Sequence, residues 1–475
     1  MAVLLDRIRE NKESLLPMME SGQKQALLEE HHPDSLMQGR QKLAFGPNLG
    51  DLLPGEFTRL VDRKAPYPGE PKTEQTDLLI IGSGAAGLSA ALEACGRGIR
   101  VMVITAETAG SSNTVLAQGG MSAAVAPDDS PTLHAADTLQ GGQTNNPRLV
   151  EIMSEEGPQA VLWLERLGML FDRGVDKSYR LLGGAGHSRK RVLTHKGFIG
   201  PRLMKVLLKA FKQTDAELRV FHRLSELCCE NGRCRGAFVL NEARQEHLRI
   251  EAQAVILATG GMGGLKPLGL PTSNHHSIKG EGLAAGYRAG IRLIDMDSSQ
   301  FHPTGAIWPQ EAAGLLVSEG VRSLGAGLYN REGRQFINPM ETRDVITASM
   351  IREISAGQGI DLPGGGSGLL LNISALPEET LQKSLGRIYK KLVIAGYSLR
   401  ETPLLVVPVY HYQNGGLEIN ENGRTSLAGL WAAGEVTGGV HGKNRLGGNA
   451  LTDAFVFGRR AGRDALESIT GPCML

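Results

Sequence analysis

"DLLIIGSGAAGLSAALEACGRGIRVMVIT", residues 77–105, decides how this chain is read. An apolar run from Leu78 to Ile81 stops at a glycine. A helix-like stretch, Leu88 to Ala94, follows, and a second apolar run, "IRVMVIT", closes the segment. Four continuous apolar residues suit a strand buried on both faces, as in a parallel sheet. Gly82, Gly84 and Gly87 spell GxGxxG. Alone, that pattern is weak. Between a strand and a helix, inside one strand–helix–strand unit, it is a dinucleotide fingerprint. The glycines let a pyrophosphate approach the N–H groups at the helix start. Many such units end the second strand on an acid that holds a ribose. Here that position is Thr105, with Glu107 two residues on, so the ribose contact is left open.

The rest of the composition fits such a domain. With 475 residues the chain is long enough for two or three domains sharing a large core. A net charge of +1 leaves no electrostatic footprint for nucleic acid. The 62 glycines fall in short clusters, which implies many tight turns and close backbone approaches. Five cysteines give no disulfide framework, which fits a reducing compartment. Three of them lie in "CCENGRC", 228–234, where Asn231-Gly232 reads as a hairpin turn, and no fourth metal ligand is nearby. The first residues carry charges throughout, with no apolar signal core. No apolar stretch is long enough to span a membrane, so a cytoplasmic location is expected.

Residues 1–74 read as an extension of unknown role, with a helix over 2–30 and a Pro-rich linker, "RKAPYPGEPKTEQ". Two further apolar runs, "AVILATGG" (254–261) and "LAGLWAAGEV" (427–436), end in small residues, as a strand passing a cofactor would. Between them lies mixed α and β. The expected layout is α/β: a discontinuous Rossmann-like nucleotide domain (75–262 and 404–475) with an inserted α+β capping domain (263–403).

Nine motifs run in order: "IGSGAAGLSAA", "NTVLAQGGMSAA", "AVILATGG", "QFHPTG", "SEGVRS", "ETRD", "VVPVYHYQNGG", "WAAGEV" and "HGKNRLGGNAL". Together they closely resemble the flavoprotein family of fumarate reductase, succinate dehydrogenase and L-aspartate oxidase. The resemblance covers roughly 77–465 and leaves the extension unexplained. It implies FAD as cofactor, with a ligand held against the flavin by the capping domain. Gly82, Gly84, Ala85, Ala86 and Gly87 would hold the pyrophosphate. Thr105, Asn113 and Thr114, with Thr259 and Gly260, would also line the FAD site. Ala117, Gln118, Gly119 and Gly120 would pass the isoalloxazine ring. Glu435 would bind ribityl or ribose hydroxyls. Asn449, Ala450 and Leu451 would open a helix aimed at the flavin N1 and C2 carbonyl, where reduced flavin is anionic and the helix dipole stabilises charge.

The same resemblance implies a dicarboxylate site. Arg445, on the glycine-rich turn before that helix, would hold a carboxylate with its planar fork. His411 would join it at one end, and His302 with Ser318 would serve the other. Arg343 matches the proton donor, and Glu319 and Arg322 match the relay that reprotonates it. Taken singly, the arginines read as surface ion pairs and the histidines as satisfied core residues. Their joint placement in ordered motifs reverses that. A guanidinium holds its proton at neutral pH, so it could act as an acid only with fast replacement.

Three departures bear on function. Membrane-bound members attach FAD through a histidine at the position of Asn113, so noncovalent FAD is expected here. The chain stops soon after the flavin helix, as single-chain soluble fumarate reductases do. The usual "HYTMGG" is "HYQNGG", so Gln413 and Asn414 are expected to alter the pocket. The favoured activity is fumarate reduction. L-aspartate oxidase is the rival, because "GGAGHSRKRVL" resembles that enzyme's ammonium-binding stretch, yet its glutamate is matched by Gly184. The other alternative is a flavoprotein subunit of a larger complex. The chain has no haem or iron–sulfur motif, so electrons must come from an external donor, for which an iron–sulfur or flavin partner protein is a candidate.

Overall fold

The computed structural model describes residues 6, 8, 16–63, 71–362, 365–398, 401–402 and 404–471. Along the chain, α1 (Ser21–His31) and α2 (Gly55–Asp62) precede β1 (Lys72–Gln75). Then come β2 (Leu78–Ile81), α3 (Ala85–Ala94), β3 (Val101–Ile104) and α4 (Pro131–Gly142). Next are β4 (Glu217–Arg219), β5 (His222–Glu230), β6 (Arg233–Asn241), β7 (Glu246–Glu251) and β8 (Ala254–Leu257). They are followed by α5 (Glu281–Arg288), β9 (Ser299–Trp308), α6 (Glu319–Ser323), β10 (Gly327–Tyr329) and α7 (Arg343–Ser355). The chain ends with β11 (Ser367–Asn372), β12 (Leu404–Gln413), β13 (Leu430–Ala432) and α8 (Asn449–Thr470).

The larger of two compact units comprises Gly39–Leu268, Asn274–Ser299 and Tyr412–Leu475. Its centre is a five-stranded sheet in the order β13-β8-β2-β3-β4. Every pairing in it is parallel. The strands β2, β3 and β8 are buried at all four residues, which is why their sequences run apolar without alternation. Helix α8 lies close on α3. A Cβ on Gly458 would come within 2.5 Å of Ala86 O, and one on Gly462 within 2.4 Å of Ala90 O. Small residues on both helices set that short separation.

A second sheet runs β5-β6-β7-β1, antiparallel except that β1 joins β7 in parallel. The β5–β6 turn is the expected Asn-Gly hairpin, with φ of 49° at Asn231 and 70° at Gly232. Strand β1 corrects the linker reading: Lys72–Gln75 is sheet edge, while 64–70 of that stretch lie outside the described residues.

The smaller unit comprises Met1–Gln38, Gly269–Ser273 and Gln300–His411. Its sheet has the order β9-β12-β11-β10. One core joins Leu369, Leu371 and Val406 from the strands to Val345, Ile346 and Met350 of α7 and Leu27 of α1. The expected helix over 2–30 is shorter on its described part. Residues 16–20 are non-helical and α1 begins at Ser21. Pro17 accounts for that, since proline lacks a donor and clashes inside a helix.

The unit boundaries fall at other residues than the expected 263 and 403. Residues 274–299 sit with the larger unit because α5 packs on α2 and β5, and Leu293–Ile294 pairs with Gly416–Leu417. No described helix is long and apolar enough to cross a membrane.

Candidate active site

The glycine turn after β2 is built for close approach. Gly82 has φ +118°, and a Cβ there would lie 2.1 Å from Ala258 O. A Cβ on Gly87 would lie 1.9 Å from Gly82 O, so helix α3 can press onto the turn only without one. Thr114 Oγ1 accepts the Ala85 N–H at 3.1 Å, occupying one helix-start donor. Three buried hydroxyls, Ser83 Oγ, Ser112 Oγ and Thr259 Oγ1, have no hydrogen-bond partner among the described residues. Buried polar groups are normally satisfied. A turn that excludes side chains and is edged by orphan hydroxyls therefore fits a polar dinucleotide. Thr105 is buried at the end of β3, and Glu107 carries its carboxylate 3.1 Å from His276 Nε2.

Asn113 is fully engaged. Its Nδ2 donates to Asn274 Oδ1 at 2.5 Å and to Glu435 Oε2 at 3.0 Å, and its Oδ1 accepts the His275 N–H at 2.8 Å. Glu435 also accepts the Gln413 N–H at 3.1 Å. Desolvation pushes the Glu435 carboxyl above its usual range, while those bonds and the charge of Arg445 pull it back. The expected ring-side residues Ala117, Gln118, Gly119 and Gly120 form the loop that leads into Met121–Ser122. A Cβ on Gly120 would meet Leu193 O at 2.3 Å, and that close approach excludes a side chain at this position. The expected Gly260 has φ +76°.

Helix α8 starts at Asn449, capped by Gly448 at φ +91°. Asn449 points its side chain inward. Its Oδ1 accepts from Ser122 Oγ and from His134 Nε2, and its Nδ2 donates to Thr138 Oγ1. That leaves the first-turn N–H groups of Ala450 and Leu451, which have no intrahelical acceptor, for an anion. Burial drives the His134 ring down to about 4, so it is neutral and donates from Nε2. The preceding turn is tied from the other side. His187 Nε2 donates to Gly447 O at 2.8 Å, and Arg191, wholly buried between Asp129 and Asp137, sits 3.2 Å from His187 Nδ1.

Arg445 stacks its guanidinium over the Tyr412 ring, 4.5 Å from the centroid. The Tyr412 ring meets His441 edge to face at 5.4 Å, and His441 Nε2 lies 3.3 Å from Asp453 Oδ2. The side-chain amides of Gln413 and Asn414, expected to alter the pocket, donate to backbone carbonyls. The first donates to Ser298 O at 3.1 Å and the second to Lys443 O at 3.0 Å.

The other expected residues lie in the smaller unit. His302 on β9 and His411 on β12 meet edge to face with centroids 5.5 Å apart. His302 Nδ1 accepts the Thr304 N–H, and His411 Nδ1 pairs with Ser273 Oγ at 2.7 Å. Both rings are thus held in place through Nδ1. Ser318 caps α6, its Oγ accepting the Gly320 N–H. Glu319 Oε2 lies 2.8 Å from Arg343 Nε and 3.9 Å from Arg322 NH2. Arg343 also donates to Gln300 Oε1 at 3.0 Å. Burial lowers the Arg322 guanidinium to about 10, against the opposing pull of Glu319. Gln300, Tyr412, His441 and Arg191 lie inside the quoted motifs without having been assigned these roles, and no motif covers Asp453 or His134.

The glycine turn, the orphan hydroxyls and the long helix fit a dinucleotide-binding protein. Residues 77–451 match the FAD binding domain family. The chain is similar to a subunit of the fumarate reductase (CoM/CoB) of Methanothermobacter marburgensis, 38% identical over 84% of this chain and 74% of the relative. It is also similar to L-aspartate oxidase of Caulobacter vibrioides, 37% identical over 83% and 77%. Among solved structures it is similar to FrdA of the E. coli quinol fumarate reductase, with a TM-score of 0.78 and 28% identity over 84% and 71% of the two chains. The chain thus belongs to the FAD binding domain family and is an FAD-dependent oxidoreductase of the fumarate reductase/succinate dehydrogenase flavoprotein type, with a mixed α/β flavoprotein fold.

Proposed function

We propose that this protein reduces fumarate to succinate in a site on a Rossmann-like, discontinuous FAD domain with a capping insertion. The observation that carries this reading is the Arg343–Glu319–Arg322 cluster, a 2.8 Å hydrogen bond from Arg343 Nε to Glu319 with Arg322 NH2 at ion-pair distance, 3.9 Å, from the same carboxylate. FAD, held at the glycine turn and the start of α8, would supply the reducing electron pair. Arg343 gives a proton to an alkene carbon, Glu319 returns one to Arg343, and Arg322 feeds Glu319. The lowered proton affinity of Arg322 supports that last role. By the family resemblance, Arg445 would hold a substrate carboxylate, and His302, His411 and Ser318 would serve as further donors. FAD is held without a covalent bond, because Asn113 offers an amide already spent on Asn274, Glu435 and the His275 N–H.

L-aspartate oxidation is the second reading, favoured by the Caulobacter relative. Against it, Gly184 has no side chain to hold an ammonium, and a Cβ there would already sit 3.0 Å from His187 Cδ2. The Methanothermobacter relative is named as a subunit, which supports an external donor protein as the electron source. The test is an anaerobic assay of purified protein with reduced viologen and fumarate, beside L-aspartate with dioxygen. Fumarate-dependent viologen oxidation, inhibited by malonate, is expected. Brisk peroxide formation from L-aspartate would reverse the choice.

A further inference from the structure

Residues before 77 lie outside the family match, yet they reach the turn that carries the proposed proton donor. The Met19 N–H donates to Glu341 Oε1 at 2.6 Å, and Lys24 Nζ lies 2.8 Å from Glu341 Oε2. Asn338 Nδ2 donates to Leu16 O at 2.6 Å. Helix α1 packs along α7 and adds Leu27 to the core beneath it. Arg322 grips the same turn, donating NH1 to Pro339 O at 2.9 Å. Two residues past Glu341, Arg343 opens α7.

We propose that residues 16–31 are a brace that positions Arg343, with the Lys24–Glu341 pair as its clasp. The proposal deepens the fumarate-reductase reading and rests on it. The Glu341 side chain has no exposed surface, whereas that of Lys24 keeps 29%. A carboxylate so deeply buried is costly to leave without its cation. Losing Lys24 leaves it only the Met19 N–H, and the turn 338–341 shifts toward solvent. That shift moves the first residue pair of α7. Proton delivery depends on donor placement, where an error of about 1 Å can cost roughly 10²-fold. Lys24 and Glu341 are therefore positioning residues, since neither is one of the groups assigned to substrate or FAD.

The test uses the full FAD-loaded chain with Lys24→Ala, Lys24→Arg and Glu341→Gln. Each variant is reduced by viologen and then mixed with fumarate, and amide hydrogen exchange is followed over 338–346. Lys24→Ala should keep its FAD and its reduction rate. Its reoxidation by fumarate should slow on the order of 10-fold, with KM nearly unchanged. Exchange over 338–346 should quicken. Lys24→Arg should restore most of both, and Glu341→Gln, which keeps the shape, should resemble Lys24→Ala. An active wild type with variants that reoxidise equally fast overturns the brace. Equal slowing of both half-reactions, or unchanged exchange, also overturns it. A wild type inert to fumarate instead overturns the functional reading, and the exchange readout still judges the clasp.

Discussion

Glu319 Oε2 stands 2.8 Å from Arg343 Nε and 3.9 Å from Arg322 NH2, so one carboxylate is shared by two arginines. Arg343 at the start of α7 is partly accessible, with 15% of its side chain exposed, while Arg322 has 1%.

Arg343→Ala removes the proposed donor and alters none of the residues proposed to hold FAD. It should lower kcat for fumarate on the order of 10²-fold or more while the FAD spectrum stays intact. Arg343→Lys should recover little, because a point-like ammonium does not reproduce the fork bound by Glu319 and Gln300. Near-normal turnover in Arg343→Ala would return Arg343 to the status of an ion-pair residue.

Arg445 rests on Tyr412, and the ring should matter more than its hydroxyl. Arg445→Ala should raise KM sharply, since the lost anchor serves ground and transition states alike. Tyr412→Phe keeps the aromatic face and should bind malonate almost as wild type does. Tyr412→Leu loses a desolvated cation–π contact worth about 1–2 kcal/mol, a roughly 10-fold weakening. Flavin absorbance changes on malonate titration report the comparison. Equal binding by the Phe and Leu variants would remove Tyr412 from the site.

Asn113 sits where a histidine would attach FAD, with both amide atoms committed. Acid or heat denaturation should release free FAD into the supernatant. Yellow colour retained by the precipitated chain would contradict noncovalent binding.

How much of the fold and site is legible in the sequence depends on how local each signal is. The strand–glycine–helix turn is legible because its period and its Gly82 and Gly87 lie within a dozen residues. The Asn231-Gly232 hairpin is legible for the same reason. The helix expected over 2–30 runs too far because its charge and apolar pattern continues across Pro17, where the backbone cannot. Lys24 and Glu341, His134 and Asn449, and Tyr412 and Arg445 are joined only by the fold. None has a partner at a helical or strand spacing, so no periodicity could pair them. The carbonyls that Gln413 and Asn414 bond, Ser298 O and Lys443 O, lie far off in sequence, so those contacts were not legible either.

His134 makes a pH prediction whose sign can be worked out. Desolvation is the largest cause of its depressed proton affinity, with Arg191 and His187 adding to it and Asn449 and Asp129 opposing it. Its ring falls from 6.5 to about 4 in the folded chain. Between those values the unfolded chain binds a proton that the folded chain refuses, so stability rises with pH there. The contribution is fully present above 6.5 and is lost as pH falls toward 4. A shift of that size corresponds to about 3 kcal/mol. Carboxylates titrate over the same range, so the comparison must be with His134→Gln, whose amide can still donate to Asn449 but does not titrate. Denaturant unfolding should show that variant less stable than wild type at pH 7. The gap should close by about 2–3 kcal/mol toward pH 4. Because Asn449 opens the helix proposed to face the flavin, wild-type FAD release should move with the same titration. Parallel pH profiles for the two proteins would show that His134 accepts its proton in the folded chain, and the neutral-donor assignment at Asn449 would fail.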